Sequence, residues 1–589
     1  MMTHLQENFR DYLIVALYVL GTLGIGVYFS REKRTSENYL LGNRSMPPLV
    51  IGIACMMSMF SSISIVAITG EVFNNGMTLL IVGTFVYPLL SIPCYLLFAR
   101  FWFKLGSFTP YEYLEYRYDK NIRAAVAFSS FFLRVIYIGM VLFTSSKIFE
   151  GAFGWSAYFS ILLTAVVGVA CCFLGGSKAV IWTDVFQALI TFGGMLTVII
   201  IAASKVEGGI FGAIATGFAD GHGVPQFSQK EFYSLVPYER VLFFLLLWNA
   251  VHVTLLDACS NQVVAQRVLS TKNWRAGFKS QIYSNTLGLA ISLILYLIGF
   301  SLYAFYKTNP VDSVGSASGD IALFYFVKHY VPQPLSGLFM AAMLAAIMST
   351  ISGVVNSMAG VWLKEFHSKY INKNLTAEKE FVILRRATLI LGAIGVVLAV
   401  LLEHFGRWMQ QSVAEVNIIL NLLCTAIVPA YLFAVLSKRA NSALIWATVF
   451  FGIGDGIAWN VWYALSRSSL KAWENDPACG LNWAGKLPLA YVIIPLAAAV
   501  LLTLPVLFKH LRSKFAVKLT ALLGCTAWGI TAVMLIWYIF SNIYVKEVPL
   551  ARSFAYVLPL PLILSGIALF FCPVQPKEKY EGLTLNSLK

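Results

Sequence analysis

Apolar residues dominate this chain in runs of membrane-spanning length, interrupted by short polar segments. Such runs begin near Tyr12, Pro48, Met77, Ile122, Trp155, Ala179, Val241, Ser280, Leu335, Ala387, Val413, Ala443, Pro488, Phe515 and Tyr556. A helix needs about 20 apolar residues to cross a bilayer, so the pattern predicts roughly fifteen transmembrane helices. Longer polar connections are expected only near residues 205–239, 307–333, 364–386 and 467–486. About ten of the spans, from Pro48 to Val435, divide into two sets of five, and an odd number of helices per set would invert the second set relative to the first. The expected organisation is an extra helix and basic loop over 1–45, a first five-helix repeat over 46–239, a second over 240–439, and further helices with a short tail over 440–589.

Charge adds orientation to this picture. Arg31, Lys33, Arg34 and Arg44 follow the first run, and Lys104, Arg117, Lys120 and Arg123 follow the third. Arg267 to Lys279, Lys364 to Arg386, Lys438 with Arg439, and Lys509 to Lys518 continue the alternation. Basic loops face the cytoplasm, which predicts a plasma-membrane protein with its N-terminus outside and C-terminus inside. The first run lacks a basic leader and a clear cleavage site, so a retained span is expected rather than a signal peptide. Composition agrees: of 589 residues, 58% are hydrophobic and only 12% charged, which excludes an ordinary soluble domain. The net charge of +15 is accounted for by the loops, without a localised nucleic-acid-binding region. The 9 cysteines show no metal-ligand spacing and are read as small interior residues.

Several polar residues interrupt the apolar runs. In Leu344-Ala-Ala-Ile-Met-Ser-Thr-Ile-Ser-Gly-Val-Val-Asn356, Ala346, Ser349 and Thr350 stand at helical spacing, and Ser352 and Gly353 follow a turn later. Two readings stand for this stretch: oxygen ligands for a hard monovalent cation, or small residues for close helix packing. The second span carries Ser58, Ser61, Ser62 and Ser64, and the later run near Val241 carries Trp248, His252, Asp257, Ser260, Asn261 and Gln262. Both are weak helices, as expected where unwound backbone lines an ion or solute site. Asp257 is costly at membrane depth and is a candidate for a cation or solute contact. Asp184 is a second candidate, as a cation ligand or as a helix-end cap. Arg134 could meet an anionic solute group or snorkel to the interface.

Four segments together resemble the sodium:solute symporter family: Thr109-Pro-Tyr-Glu-Tyr-Leu-Glu115, Gly175-Gly-Ser-Lys-Ala-Val-Ile-Trp-Thr-Asp-Val-Phe-Gln187, Asn261-Gln-Val-Val-Ala-Gln-Arg267 and Ala346-Ile-Met-Ser-Thr-Ile-Ser-Gly-Val-Val-Asn356. The resemblance implies an all-α polytopic protein with the ten-helix inverted-repeat core of the bacterial leucine transporter type. It is preceded by one extra helix and followed by about four. It also implies Na+ as the coupling ion, at a site formed by the side chains of Ser349 and Thr350 and the carbonyls of Ala346, Met57 and Phe60. Members with a second sodium use an acid matching Asp184 with hydroxyls matching Ser349, Ser352 and the next position, which is Gly353 here. Solute contacts would fall to Ser61, Ser64, Thr84, Asp257 and Asn421. Sugar transporters carry a glutamine or an aromatic residue where this chain has Ser64 or Asp257, and the carboxylate-binding arginine of the sialic acid branch would align near Tyr137, a turn beyond Arg134. The expected activity is sodium-coupled import of a small polar solute: a sugar, sialic acid or related carboxylate. A transporter-like sensor, a proton-coupled symporter and a membrane-embedded enzyme are the alternatives. The first would want a cytoplasmic signalling domain, against which the short segment after Cys572 weighs, and an enzyme would need Asp184, Asp257 and His252 to converge.

Overall fold

The computed structural model describes residues 9–31, 35–106, 108–223, 243–311, 319–409 and 427–446, with Thr448, Leu569, Cys572 and 574–584. These residues are helical, joined by turns and short coils. Asn421 and the expected spans beyond Thr448 lie outside them. The elements are α1 (Phe9–Phe29), α2 (Ser36–Leu41), α3 (Pro48–Met59), α4 (Ser62–Asn75), α5 (Thr78–Leu105), α6 (Glu112–Arg117), α7 (Lys120–Phe153), α8 (Ala157–Ser204), α9 (Gly209–Ala219), α10 (Phe243–Ser260), α11 (Gln262–Leu269), α12 (Trp274–Thr308), α13 (Gly319–Tyr330), α14 (Leu335–Val361), α15 (Ala377–Met409) and α16 (Ile427–Leu436). By length and composition, 7 helices among the described residues are able to cross a membrane, or 8 if the bent pair Ser36–Arg44 and Pro48–Met59 is one span.

The chain groups into two compact units. The first comprises residues 1–109, 131–232 and 261–404. Its axis is α14, whose most apolar window is 94% buried, against 22% for α1. A helix apolar on all sides belongs inside a bundle, whereas α1 has one face free for lipid. Helix α14 packs on α8, α1 and α3. Apolar burial drives little association in lipid, so small residues that admit close backbone approach carry this packing. A Cβ added at Gly194 of α8 would stand 2.6 Å from that of Ala342 on α14.

Helix α8 contains two spans. At Gly176 the backbone turns to φ 60° and ψ −150°, which ends one helical stretch and starts the next. Only glycine adopts this conformation without strain, and a side chain there would also meet the Tyr39 carbonyl at 2.8 Å. Asp184 thus lies two turns into the second stretch, inside the unit, and does not cap the helix start.

The second unit comprises residues 110–130, 233–260 and 405–589. Within it, α16 packs on α10 and α6. Arg117 is 1% exposed and donates to the carbonyls of Ala434, at 3.1 Å, and Ser437. Charge alternation along the sequence reads Arg117 and Arg267 as solvent-facing loop cations. The structure buries both, because each sits on a short helix whose carbonyl or carboxylate partners come from elsewhere in its own unit.

Candidate functional site

In the first unit α14 packs against α3 and α8, and its hydroxyl stretch meets α8 through Ser349. Helix α3 ends at Met59, Phe60 is extended at φ −108° and ψ 116°, and α4 starts at Ser62. The break leaves carbonyls of the last α3 turn without intrahelical donors, as at any helix C-terminus. The Met57 carbonyl accepts the Phe60 N–H at 3.3 Å, while Ser58 donates back to the carbonyls of Ala54 at 3.0 Å and Cys55 at 2.9 Å. Ser61 and Ser64 form a reciprocal cap at the start of α4. These two serines fix the N-terminus of the second half-helix, a local role alongside the solute contact expected of them.

On α14, Ala346, Ser349, Thr350 and Ser352 are all buried. Thr350 donates to the Ala346 carbonyl at 3.1 Å, and Ser352 donates to the Ser349 carbonyl at 3.2 Å. Ser349 behaves differently. Its hydroxyl donates across to Asp184 Oδ1 at 2.6 Å, which turns its oxygen lone pairs away from the carboxylate. The other carboxylate oxygen, Oδ2, accepts from Arg267 Nη2 at 2.8 Å. The side chains of Asp184 and Arg267 are 0% and 4% exposed, so the ion pair is fully withdrawn from water. Arg267 reaches it from α11, which starts after a second break, where Asn261 caps the helix through the Val263 N–H at 3.1 Å. Sequence reasoning missed Arg267 as a site residue. The available signal was its place in an apolar segment, Val263-Val-Ala-Gln-Arg-Val-Leu269, directly behind a capping asparagine.

The remaining expected residues do not all gather here. Thr84 is half-buried and hydrogen-bonded to the Tyr296 hydroxyl of α12. Arg134 is half-buried, with its guanidinium 5.9 Å from the Tyr137 ring centre. Asp257 is buried on α10 in the second unit. His252 lies on the same helix, with its side chain outside the described set.

Beside the α14 hydroxyls, Gln266 of α11 donates to the Leu40 carbonyl and to Asn356 Oδ1, both at 2.6 Å, and Asn356 donates to Cys172 Sγ at 3.3 Å. The polar residues of α11 and α14 are therefore knitted into one buried layer, which fixes the register between the short helix after the break and the central helix.

The sequence profile of the sodium:solute symporter family matches residues 39–449. The chain belongs to that family. Among its relatives, the sodium-dependent multivitamin transporter of Oryctolagus cuniculus is 31% identical over 60% of this chain and 56% of its own. The sodium-coupled monocarboxylate transporter 1 of Xenopus laevis is 28% identical over 69% of this chain and 65% of its own. The chain thus spans less than two thirds of those two. The sodium/sialic acid symporter of Aliivibrio fischeri is 26% identical over 77% of this chain and 87% of its own. The solved substrate-bound, outward-open structure of a Na+-coupled sialic acid symporter superimposes with TM-score 0.68 at 21% identity, covering 84% of this chain and 96% of that one. The chain is a multi-pass membrane protein with the leucine transporter type of fold.

Proposed function

We propose that the chain is a sodium-coupled symporter that imports a small polar organic solute by alternating access, and that it performs no covalent chemistry. The observation that carries this reading is the buried Ser349 on α14. Its hydroxyl proton is committed to Asp184, so its oxygen lone pairs are left to accept a cation next to Thr350 on the same helix. Sodium, as a transported substrate, would bind the hydroxyls of Ser349 and Thr350 and the carbonyls of Ala346, Met57 and Phe60. By bridging α14 to the break at Phe60, it would order the start of α4, where Ser61 and Ser64 stand. Solute would then bind more tightly, and coupling requires that solute tighten sodium to the same degree. Ser61, Ser64, Thr84, Arg134, Asp257 and Asn421 are the residues assigned to solute. Relatives named for carboxylates and vitamins support a solute of the sugar acid or carboxylate class. The assigned orientation is N-terminus outside and C-terminus cytoplasmic in the plasma membrane, with the repeats over 46–239 and 240–439.

Uptake of labelled sialic acid, hexoses and short monocarboxylates into proteoliposomes tests the reading. One compound should accumulate under an inward sodium gradient, and Ser349→Ala should reduce accumulation by at least about tenfold, the scale of losing a metal-site group. Equal accumulation without sodium would overturn it.

A further inference from the structure

Both oxygens of the Asp184 carboxylate already accept from protein groups: Ser349 donates to Oδ1 at 2.6 Å and Arg267 to Oδ2 at 2.8 Å. The guanidinium is held in this place. Its Nη1 lies 3.4 Å from the Val263 carbonyl of its own helix, and all of α11 is buried. Gly353 makes the room. A Cβ at that position would come within 2.8 Å of Arg267 Nη2 and 3.2 Å of Nη1, so any side chain there would displace the guanidinium. The position that would need a hydroxyl to complete a cation site beside Asp184 is therefore the position whose lack of a side chain admits the arginine. A metal ion beside Asp184 would also lie within a few ångströms of a fixed positive charge, in surroundings that screen it poorly.

We propose that Arg267 is a tethered cation that takes the place beside Asp184 a second sodium would need, so that this transporter binds sodium only at the Ser349–Thr350 site. In this arrangement Asp184 is a positioning residue. It holds the Ser349 proton and so orients the oxygen toward sodium, as outer-shell carboxylates orient metal ligands elsewhere. The proposal rests on the assignment of Ser349 as a sodium ligand.

Equilibrium binding of 22Na+ to the purified full-length protein in detergent tests it. Wild type should bind a single ion per chain with a non-cooperative isotherm. Arg267→Gln frees Asp184 and should add a second ion, and Asp184→Asn combined with Arg267→Gln should return the count to a single ion. Two ions in wild type would overturn the proposal, as would a count unchanged by Arg267→Gln in protein that still melts in a single cooperative transition. Should Arg267→Gln not fold, the wild-type count and that of the neutral double variant, in which no charge is left buried, decide. If Ser349→Ala leaves the sodium isotherm unchanged, the underlying assignment of the sodium site fails, and with it the positioning role. If Ser349→Ala abolishes binding while wild type takes two ions, only the tethered-cation proposal fails.

Discussion

At the scale of single residues, the buried charges divide into those that hold the bundle and those that face the site. Asp11 of α1 belongs to the first kind. Its carboxylate accepts from Ser336 Oγ at 2.8 and 2.9 Å and from the Gly337 N–H at 2.8 Å, which caps α14 from another helix. It neutralises the positive end of the central helix while pinning the extra N-terminal helix to it. Asp11→Ala should lower stability by about 1–2 kcal/mol, read as a fall in melting temperature in detergent, with sodium affinity retained. Asp184 and Arg267 form the only ion pair among the described residues with both side chains under 5% exposed. Removing one member strands the other, so Asp184→Asn alone should cost about 3–5 kcal/mol, more than the neutral double variant costs. The sequence made Asp184 conspicuous, because a carboxylate in an apolar run demands a partner. It did not name that partner, since Arg267 is 83 positions away and resembles a loop cation until the helix break is known.

At the scale of elements, polarity in an apolar run was an accurate guide to where helices break. The serine cluster marks the break at Phe60 and Ser61, and the Asp257 to Gln262 stretch marks the one at Asn261. The kink at Gly176 was legible too: it falls between the runs that begin near Trp155 and Ala179, in the connector Gly175-Gly-Ser-Lys178, although the helix continues on both sides of it. Connections outside the spans carry their own anchors. Asp220, just after α9, accepts from Tyr303 at 3.0 Å and from Lys307, both on α12. The Lys307 ammonium, with help from Tyr303, holds the exposed Asp220 carboxyl below its ordinary value. A depressed carboxylate contributes while ionised, so this anchor is complete above the ordinary carboxylate range and is lost as pH falls through the lowered value. Protease cleavage after α9 should therefore quicken only in strongly acidic medium, and Asp220→Asn should remove that dependence on pH.

In the second unit the segment 574–584 closes on the protein: Tyr113 donates to the Leu583 carbonyl at 2.6 Å, and Lys579 to that of Tyr118 at 2.8 Å. Burial pushes the Tyr113 hydroxyl well above its ordinary pKa, so it remains a donor throughout the physiological range. Deleting residues 574–589 should raise hydrogen exchange in α6 and leave α14 unchanged, because α6 loses its cover while α14 lies in the other unit.

At the scale of the whole molecule, the fold class was written in the length and spacing of the apolar runs, and the sodium:solute symporter membership in four short segments. What a single sequence could not supply is convergence: which hydroxyl of α14 meets which acid, and what stands beside it. The structure answers for Ser349, Asp184 and Arg267. The proposed coupling builds on that cluster: a cation held by Ser349 and by the carbonyls at the α3–α4 break would bind well only when the break is ordered, and the ordered break would in turn favour solute at Ser61 and Ser64. The most direct test loads proteoliposomes with equal 22Na+ on both sides and imposes only an inward gradient of the transported solute, with membrane potential clamped at zero. Uphill accumulation of 22Na+ that vanishes in Ser349→Ala is the predicted result. Solute entry that moves no sodium, or that moves protons in its place, would contradict sodium coupling.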